Sequence, residues 1–112
     1  VSFASDNTRD PFYAYGDLDM LEVLRQATRI AHLDHSRADW IDAFSATPAG
    51  SCGFGAQGFG HGDPADLVIF NARNWTELLA RPQMDRIVLR DGRAIDRTLP
   101  DYSELDPLME PQ

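Results

Sequence analysis

Val1-Ser2-Phe3-Ala4-Ser5-Asp6-Asn7-Thr8-Arg9-Asp10-Pro11-Phe12 passes within a dozen residues from short apolar composition to a polar, turn-favouring run that carries two acids. Residues 1–4 suit a buried strand, and Asp6 falls where such a strand would emerge. A carboxylate at a strand exit is placed to meet a substrate. In a parallel α/β barrel the chemistry sits at the C-terminal ends of the strands, so a strand-end Asp followed by a loop and an amphipathic helix has the order such a site requires.

The helix follows at once. Asp17 is its expected cap, and Met20, Val23, Leu24, Ala27, Ile30 and Ala31 recur at helical spacing along one apolar face, with Asp19, Glu22, Gln26 and Arg29 mostly elsewhere. Ser36 and Asp39 have capping-box spacing ahead of Trp40, Ile41 and Phe44, which predicts a second helix with those three buried. Thr47-Pro48 reads as the cap and first position of a short helix through Cys52, ended by Gly53. Residues 53–62 hold five glycines and read as an irregular connection.

Residues 67–70 then read as a strand, and Asn74 and Glu77 are spaced to cap a brief helix containing Trp75, Leu78 and Leu79 that Pro82 stops. Residues 87–89 and 93–95 flank Asp91-Gly92, a two-residue hairpin signal. From Leu99 onward, Pro100, Pro107 and Pro111 among four acids predict an extended or partly disordered tail.

Two of these stretches resemble a known family. Ser5-Asp6-Asn7, then Arg9-Asp10 and, after Gly16, a helix look like the last barrel strand of the amidohydrolase superfamily, in particular its cytosine deaminase-like branch of cytosine and triazine aminohydrolases. Gly62-Asp63-Pro64-Ala65-Asp66-Leu67-Val68-Ile69-Phe70, with the hairpin ending at Arg90-Asp91-Gly92-Arg93, resembles the return of such enzymes to a small β-sandwich. The resemblance implies an α/β fold: the C-terminal fragment of a (β/α)8 barrel, its last strand and helix, plus sandwich strands. Its parts would be residues 1–60 as the barrel end with following helices, 61–98 as the sandwich portion and 99–112 as an acidic, Pro-rich tail.

What the resemblance implies for chemistry is a hydrolase with one divalent metal ion, zinc or iron, acting on cytosine or a related nitrogen heterocycle. Asp6 would be both metal ligand and catalytic proton carrier, and Asn7 a substrate-binding residue. Some cytosine deaminases carry a second acid where Asn7 stands, so this chain departs from them there. The family's paired-histidine motif His-x-His and its further histidines belong to earlier strands. His32 and His35, at a helix end, and His61, in the glycine-rich connection, read as surface or capping residues rather than replacements.

The residues also have plainer readings. Taken alone, Asp6 and Asn7 are ordinary turn formers, and Arg9 and Asp10 read best as braces of the loop through backbone or ion-pair contacts. Gly53-Phe54-Gly55-Ala56-Gln57-Gly58 matches G-x-G-x-x-G in form, but a helix precedes it and a loop follows, the reverse of the dinucleotide-binding context. Cys52 has no evident base partner and reads as a small packed apolar residue.

Net charge of −8 and a pI near 4.6 disfavour binding to a nucleic-acid backbone and are compatible with a small neutral substrate. A single cysteine excludes an internal disulfide and a Cys-based metal framework, which fits a cytoplasmic protein. No secretory signal pattern is present, and no apolar run approaches the ~20 residues that span a bilayer. At 112 residues the chain is far short of the roughly 250 of a complete barrel. The enzyme reading therefore makes it a fragment, inactive alone. A noncatalytic interaction module derived from the same fold is the competing expectation.

From this reading, the 112-residue chain by itself should neither bind a catalytic metal tightly nor deaminate ring substrates, and it should self-associate or contact the remainder of the barrel. Metal titration and light scattering on the purified chain check this. A monomer that holds one tight metal ion and turns over would identify a complete enzyme instead.

Overall fold

The computed structural model describes residues 1–55 and 58–109. Among these described residues are four short helices, α1 (Met20–Ala31), α2 (Ala46–Ser51), α3 (Trp75–Ala80) and α4 (Asp106–Met109), and three strands, β1 (Leu67–Ile69), β2 (Ile87–Arg90) and β3 (Arg93–Ala94), joined in part by 3-10 turns. The strands form one antiparallel sheet in the order β1-β2-β3, with Leu67 opposite Leu89, Ile69 opposite Ile87 and Arg90 opposite Arg93.

The opening residues do not form the expected strand. A strand exists only through neighbours that accept its backbone hydrogen bonds, and residues 1–4 have none beside them among the described residues. They are held instead by one backbone bond, Phe3 N–H to the Ala43 carbonyl at 2.9 Å. The Phe3 ring stacks on Phe44, with centroids 4.5 Å apart and planes 2° from parallel, and meets Trp40 edge-on at 6.3 Å.

α1 begins two residues later than expected. Leu18 sits in the left-handed region at φ 55°, which separates Asp17 from the helix. Asp19, extended at φ −93° and ψ 110°, is the cap, and its carboxylate accepts from the Leu21 N–H at 3.0 Å. The buried face is rotated accordingly. Leu21 and Leu24 enter the core with Leu33, Ala43 and Phe44, Val23 and Ala27 pack at its margin, and Ile30 stays 76% exposed. His32, left-handed at φ 54°, ends the helix.

No single helix runs through residues 36–44. The Ser36 hydroxyl accepts from Ala38 N–H and the Asp39 carboxylate from Ile41 N–H, two residues on in each case. Such local bonds compete with a helical ladder, and the segment becomes a loop followed by the 3-10 turn Ile41–Phe44. Trp40, Ile41 and Phe44 nevertheless reach the core as the pattern predicts. α2 starts at Ala46 rather than at a Thr47 cap; the Ser45 hydroxyl donates to the Ile41 carbonyl and caps nothing. Gly53, at φ 77°, ends α2 as expected: Phe54 N–H bonds the Ala49 carbonyl and Gly53 N–H the Gly50 carbonyl, a Schellman closure. Cys52 is exposed rather than packed, because it lies on that turn.

The second half follows the sequence more closely. Asn74 caps α3 through the Glu77 N–H at 2.9 Å, and Asp91 and Gly92 are both left-handed, at φ 49° and 73°, as a type I′ hairpin turn demands. The tail is more ordered than its composition implies through residue 109. Asp101 and Glu104 make a reciprocal capping box at the 3-10 turn Tyr102–Leu105, which leads into α4. The tail's residues 110–112 lie outside the described residues, as do Ala56 and Gln57 of the glycine-rich motif.

The two halves meet at Arg86. Its guanidinium bonds both carboxylate oxygens of Asp19, at 2.7 and 2.9 Å, while donating to the carbonyls of Gln83 and Pro82 and lying over the Phe70 ring. The two side chains are only 10% and 22% exposed. Gln83, 6% exposed, donates to the Glu77 and Leu78 carbonyls at the end of α3, and Arg25 of α1 donates to Leu79. Even so, the radius of gyration of 16.8 Å exceeds the roughly 13 Å of a compact domain of this length, so much apolar surface stays open.

Burial raises the Asp19 carboxyl pKa, but the bonds from Arg86 and from the Leu21 N–H outweigh it and hold the group below the usual carboxylate value. A pKa depressed in the folded state contributes stability that is present above the unfolded value and lost as pH falls through the folded one. Arg86→Ala should therefore cost about 3–5 kcal/mol near neutral pH and flatten the loss of stability in acid. Urea unfolding of both proteins at pH 7 and below pH 4 measures the two effects.

Candidate functional site

Asp6 and Asn7 lie on a loop that is tied at both ends. On one side stands Phe3, fixed to Ala43 and Phe44. On the other the chain doubles back: Arg9 N–H bonds the Tyr15 carbonyl at 3.3 Å and Asp10 N–H the Tyr13 carbonyl at 3.1 Å. The Asp10 carboxylate accepts from the Phe12 and Tyr13 N–H groups, which is the turn-bracing role expected of it. Arg9 does the same at longer range, with Nε donating to the Gly16 carbonyl at 2.8 Å and the guanidinium paired with Asp17. Gly16 permits the closure. It sits at φ 93°, and a Cβ there would come within 2.9 Å of the Thr8 methyl.

Asp6 itself is left-handed, at φ 55°, and exposed. An Asp tolerates that conformation better than most residues, yet it persists only where the surroundings enforce it. Neither the Asp6 carboxylate nor the Asn7 amide makes a hydrogen bond or ion pair among the described residues. Both are therefore open to a ligand.

The histidines are exposed. The His32 and His35 rings are 5.7 Å from each other at the end of α1, and His61 belongs to the glycine-rich connection. Among the described residues no three His, Cys, Asp or Glu side chains are grouped to hold a metal ion. Asp6 has the free oxygens of a single metal ligand, and the described residues by themselves do not complete a metal centre.

A cleft of about 1070 Å³ opens beside this loop, walled by apolar side chains of α1, the Phe44 turn and the sheet, with Arg9, Asp17 and Arg86 at its polar margin. Asp6 and Asn7 are not in its lining. Asp19 and Arg86 are not marked as a pair in the sequence. Asp19 stands immediately before the first helical residue, which is a cap signal, but nothing local to Arg86 marks its partner 67 residues away.

With the loop's acids, turns and following helix in place, the comparison with known proteins is direct: residues 1–96 match the amidohydrolase family. The chain belongs to that family. Its members generally use a divalent metal. This amidohydrolase chain is also 57% identical over 110 residues to a pterin deaminase from Rhizobium rhizogenes strain K84, an alignment covering 97% of the chain and 25% of that protein. The chain thus spans about a quarter of the length of the curated relative it matches. No solved structure matches it. Among the described residues no helix is long and apolar enough to cross a membrane.

If Gly16 sets the loop, Gly16→Ala should open it at a cost of about 1–3 kcal/mol, whereas Gly50→Ala, whose added Cβ meets nothing within 4 Å, should be neutral or slightly stabilising. Amide exchange at Arg9 and Asp10 reports the difference. Equal protection in the two variants would show that the loop does not depend on that glycine.

Proposed function

We propose that this chain is the C-terminal portion of a metal-dependent amidohydrolase that removes an amino group from a nitrogen heterocycle, a pterin being the first candidate and cytosine the smaller relative of the same chemistry. The observation that carries the reading is the 57% identity, over nearly the whole chain, to a protein named as a pterin deaminase. Pterin and cytosine share a pyrimidine ring bearing an exocyclic amine, so one reaction serves both. Residues 1–60 would end the barrel, 61–98 would contribute to the sandwich and 99–112 would form the tail, in a cytoplasmic enzyme.

Hydrolytic deamination forms a bond from water oxygen to the amino-bearing ring carbon and breaks that carbon's bond to the amine. The proton taken from water must reach the departing nitrogen. Asp6 is proposed to carry it: the carboxylate has no partner among the described residues, faces solvent and emerges from a loop tied on both sides. A divalent metal, zinc or iron, would make water a usable nucleophile near neutral pH, with Asp6 as one ligand and the others from outside the described residues. Asn7, with an amide donor and acceptor, would bond ring substituents.

In the complete protein Asp6→Ala and Asp6→Asn should each lower turnover by about 10²-fold or more, and ammonia should be released from a pterin faster than from cytosine. Assays across pterins, pyrimidines, triazines and linear amides decide the matter. Activity confined to linear amides would overturn the substrate class, and near-normal turnover by either Asp6 variant at saturating metal would overturn its role. No turnover of any of these by the intact protein would favour a noncatalytic interaction module.

A further inference from the structure

We infer that Arg9 is a positioning residue for Asp6: its side chain clasps the far end of the 6–17 loop and so sets where the Asp6 carboxylate points. The inference rests on the proposed role of Asp6. Asp6 has no bond of its own among the described residues, so its direction comes from the backbone on either side. Three residues before it, Phe3 is fixed to Ala43 and stacked on Phe44. Three residues after it, Arg9 supplies the other fixed point.

Beside the Asp10 turn and Gly16, Arg9 makes the longest-reaching contacts of that second point. Its Nε donates to the Gly16 carbonyl at 2.8 Å, its terminal nitrogen pairs with Asp17, and its own N–H bonds Tyr15, so one residue ties positions 9, 15, 16 and 17 together. Arg9 is itself left-handed, at φ 56°, a conformation a long L side chain rarely takes unless something holds it. The guanidinium fork is what makes the double contact. A lysine could keep the charge pair with Asp17 but could not donate to the Gly16 carbonyl in the same fixed geometry.

The pair is 57% and 53% exposed, and ion pairs so open to water add little to global stability. A clasp that contributes little to stability but stands three residues from the proton carrier should appear in turnover rather than in unfolding. A misplacement of about 1 Å at a reacting group can cost about 10²-fold in rate.

The test uses the full-length protein carrying this chain, with its pterin substrate, and compares wild type, Arg9→Ala, Arg9→Lys and Asp6→Ala. Arg9→Ala should lower kcat roughly 10- to 100-fold with KM within about threefold, and Tm should move by no more than about 4 °C. Arg9→Lys should recover part of kcat. The Arg9 and Asp10 amides should exchange faster in Arg9→Ala, a readout independent of turnover. A kcat within twofold of wild type in Arg9→Ala, while Asp6→Ala has lost turnover, would overturn the inference and leave the role of Asp6 standing. So would a fall in kcat matched by a large loss of Tm with no recovery by lysine, which marks a merely structural residue. Turnover retained by Asp6→Ala would overturn the proposed role of Asp6 first and this inference with it.

Discussion

The bidentate contact between Arg86 and Asp19 joins the cap of α1 to the turn before β2 across 67 residues of sequence. Asp19 also accepts from the Leu21 N–H as a cap, and Arg86 also donates to the carbonyls of Gln83 and Pro82, so each charge brings further hydrogen bonds to the contact. This matters because a largely buried ion pair stabilises only when good geometry and additional hydrogen bonds offset desolvation. Arg97 extends the arrangement by donating to the Arg86 and Met84 carbonyls. The helical first half and the sheet are thereby held in one orientation, although the hydrophobic core of Leu21, Leu24, Leu33, Ala43 and Phe44 is small.

The loop bearing Asp6 and Asn7 depends on that frame at its far end, since Asp17 and Leu18 lead directly into the Asp19 cap. Its left-handed residues, Asp6, Arg9, Gly16 and Leu18, are costly for every member but glycine. Such conformations collect where the surroundings over-determine the backbone, and here the surroundings are hydrogen bonds within the loop and a stacked Phe3 behind it. The outcome is a carboxylate held out to solvent without a partner among the described residues.

Membership of the amidohydrolase family and the open surfaces of the chain fit together physically. The sheet has three short strands, Val68, Ile69 and Ile87 stay about half exposed, and the apolar cleft between α1 and the sheet is unfilled. Open apolar surface on this scale is ordinarily covered by other polypeptide. The chain's match to about a quarter of a longer relative is consistent with that need.

Where a segment's conformation follows from its own chemistry, the sequence alone determined it. The Asp91-Gly92 turn, the Asn74 cap, the Gly53 helix end and the Asp10 brace all rest on bonds within a few residues, and the turn and helix they mark are where the sequence puts them. Membership of the amidohydrolase family was legible in the sequence as well, from runs that lie within the matched residues 1–96. Tertiary structure decided the rest. Whether residues 1–4 are a strand depends on neighbours that composition does not name. The cap moved from Asp17 to Asp19 because Leu18 turns left-handed between Asp17 and the helix, and the buried face of α1 turned with it. Charge partners 67 residues apart leave no periodic trace, since long-range pairing is set by where the backbone carries each group and not by spacing along the chain.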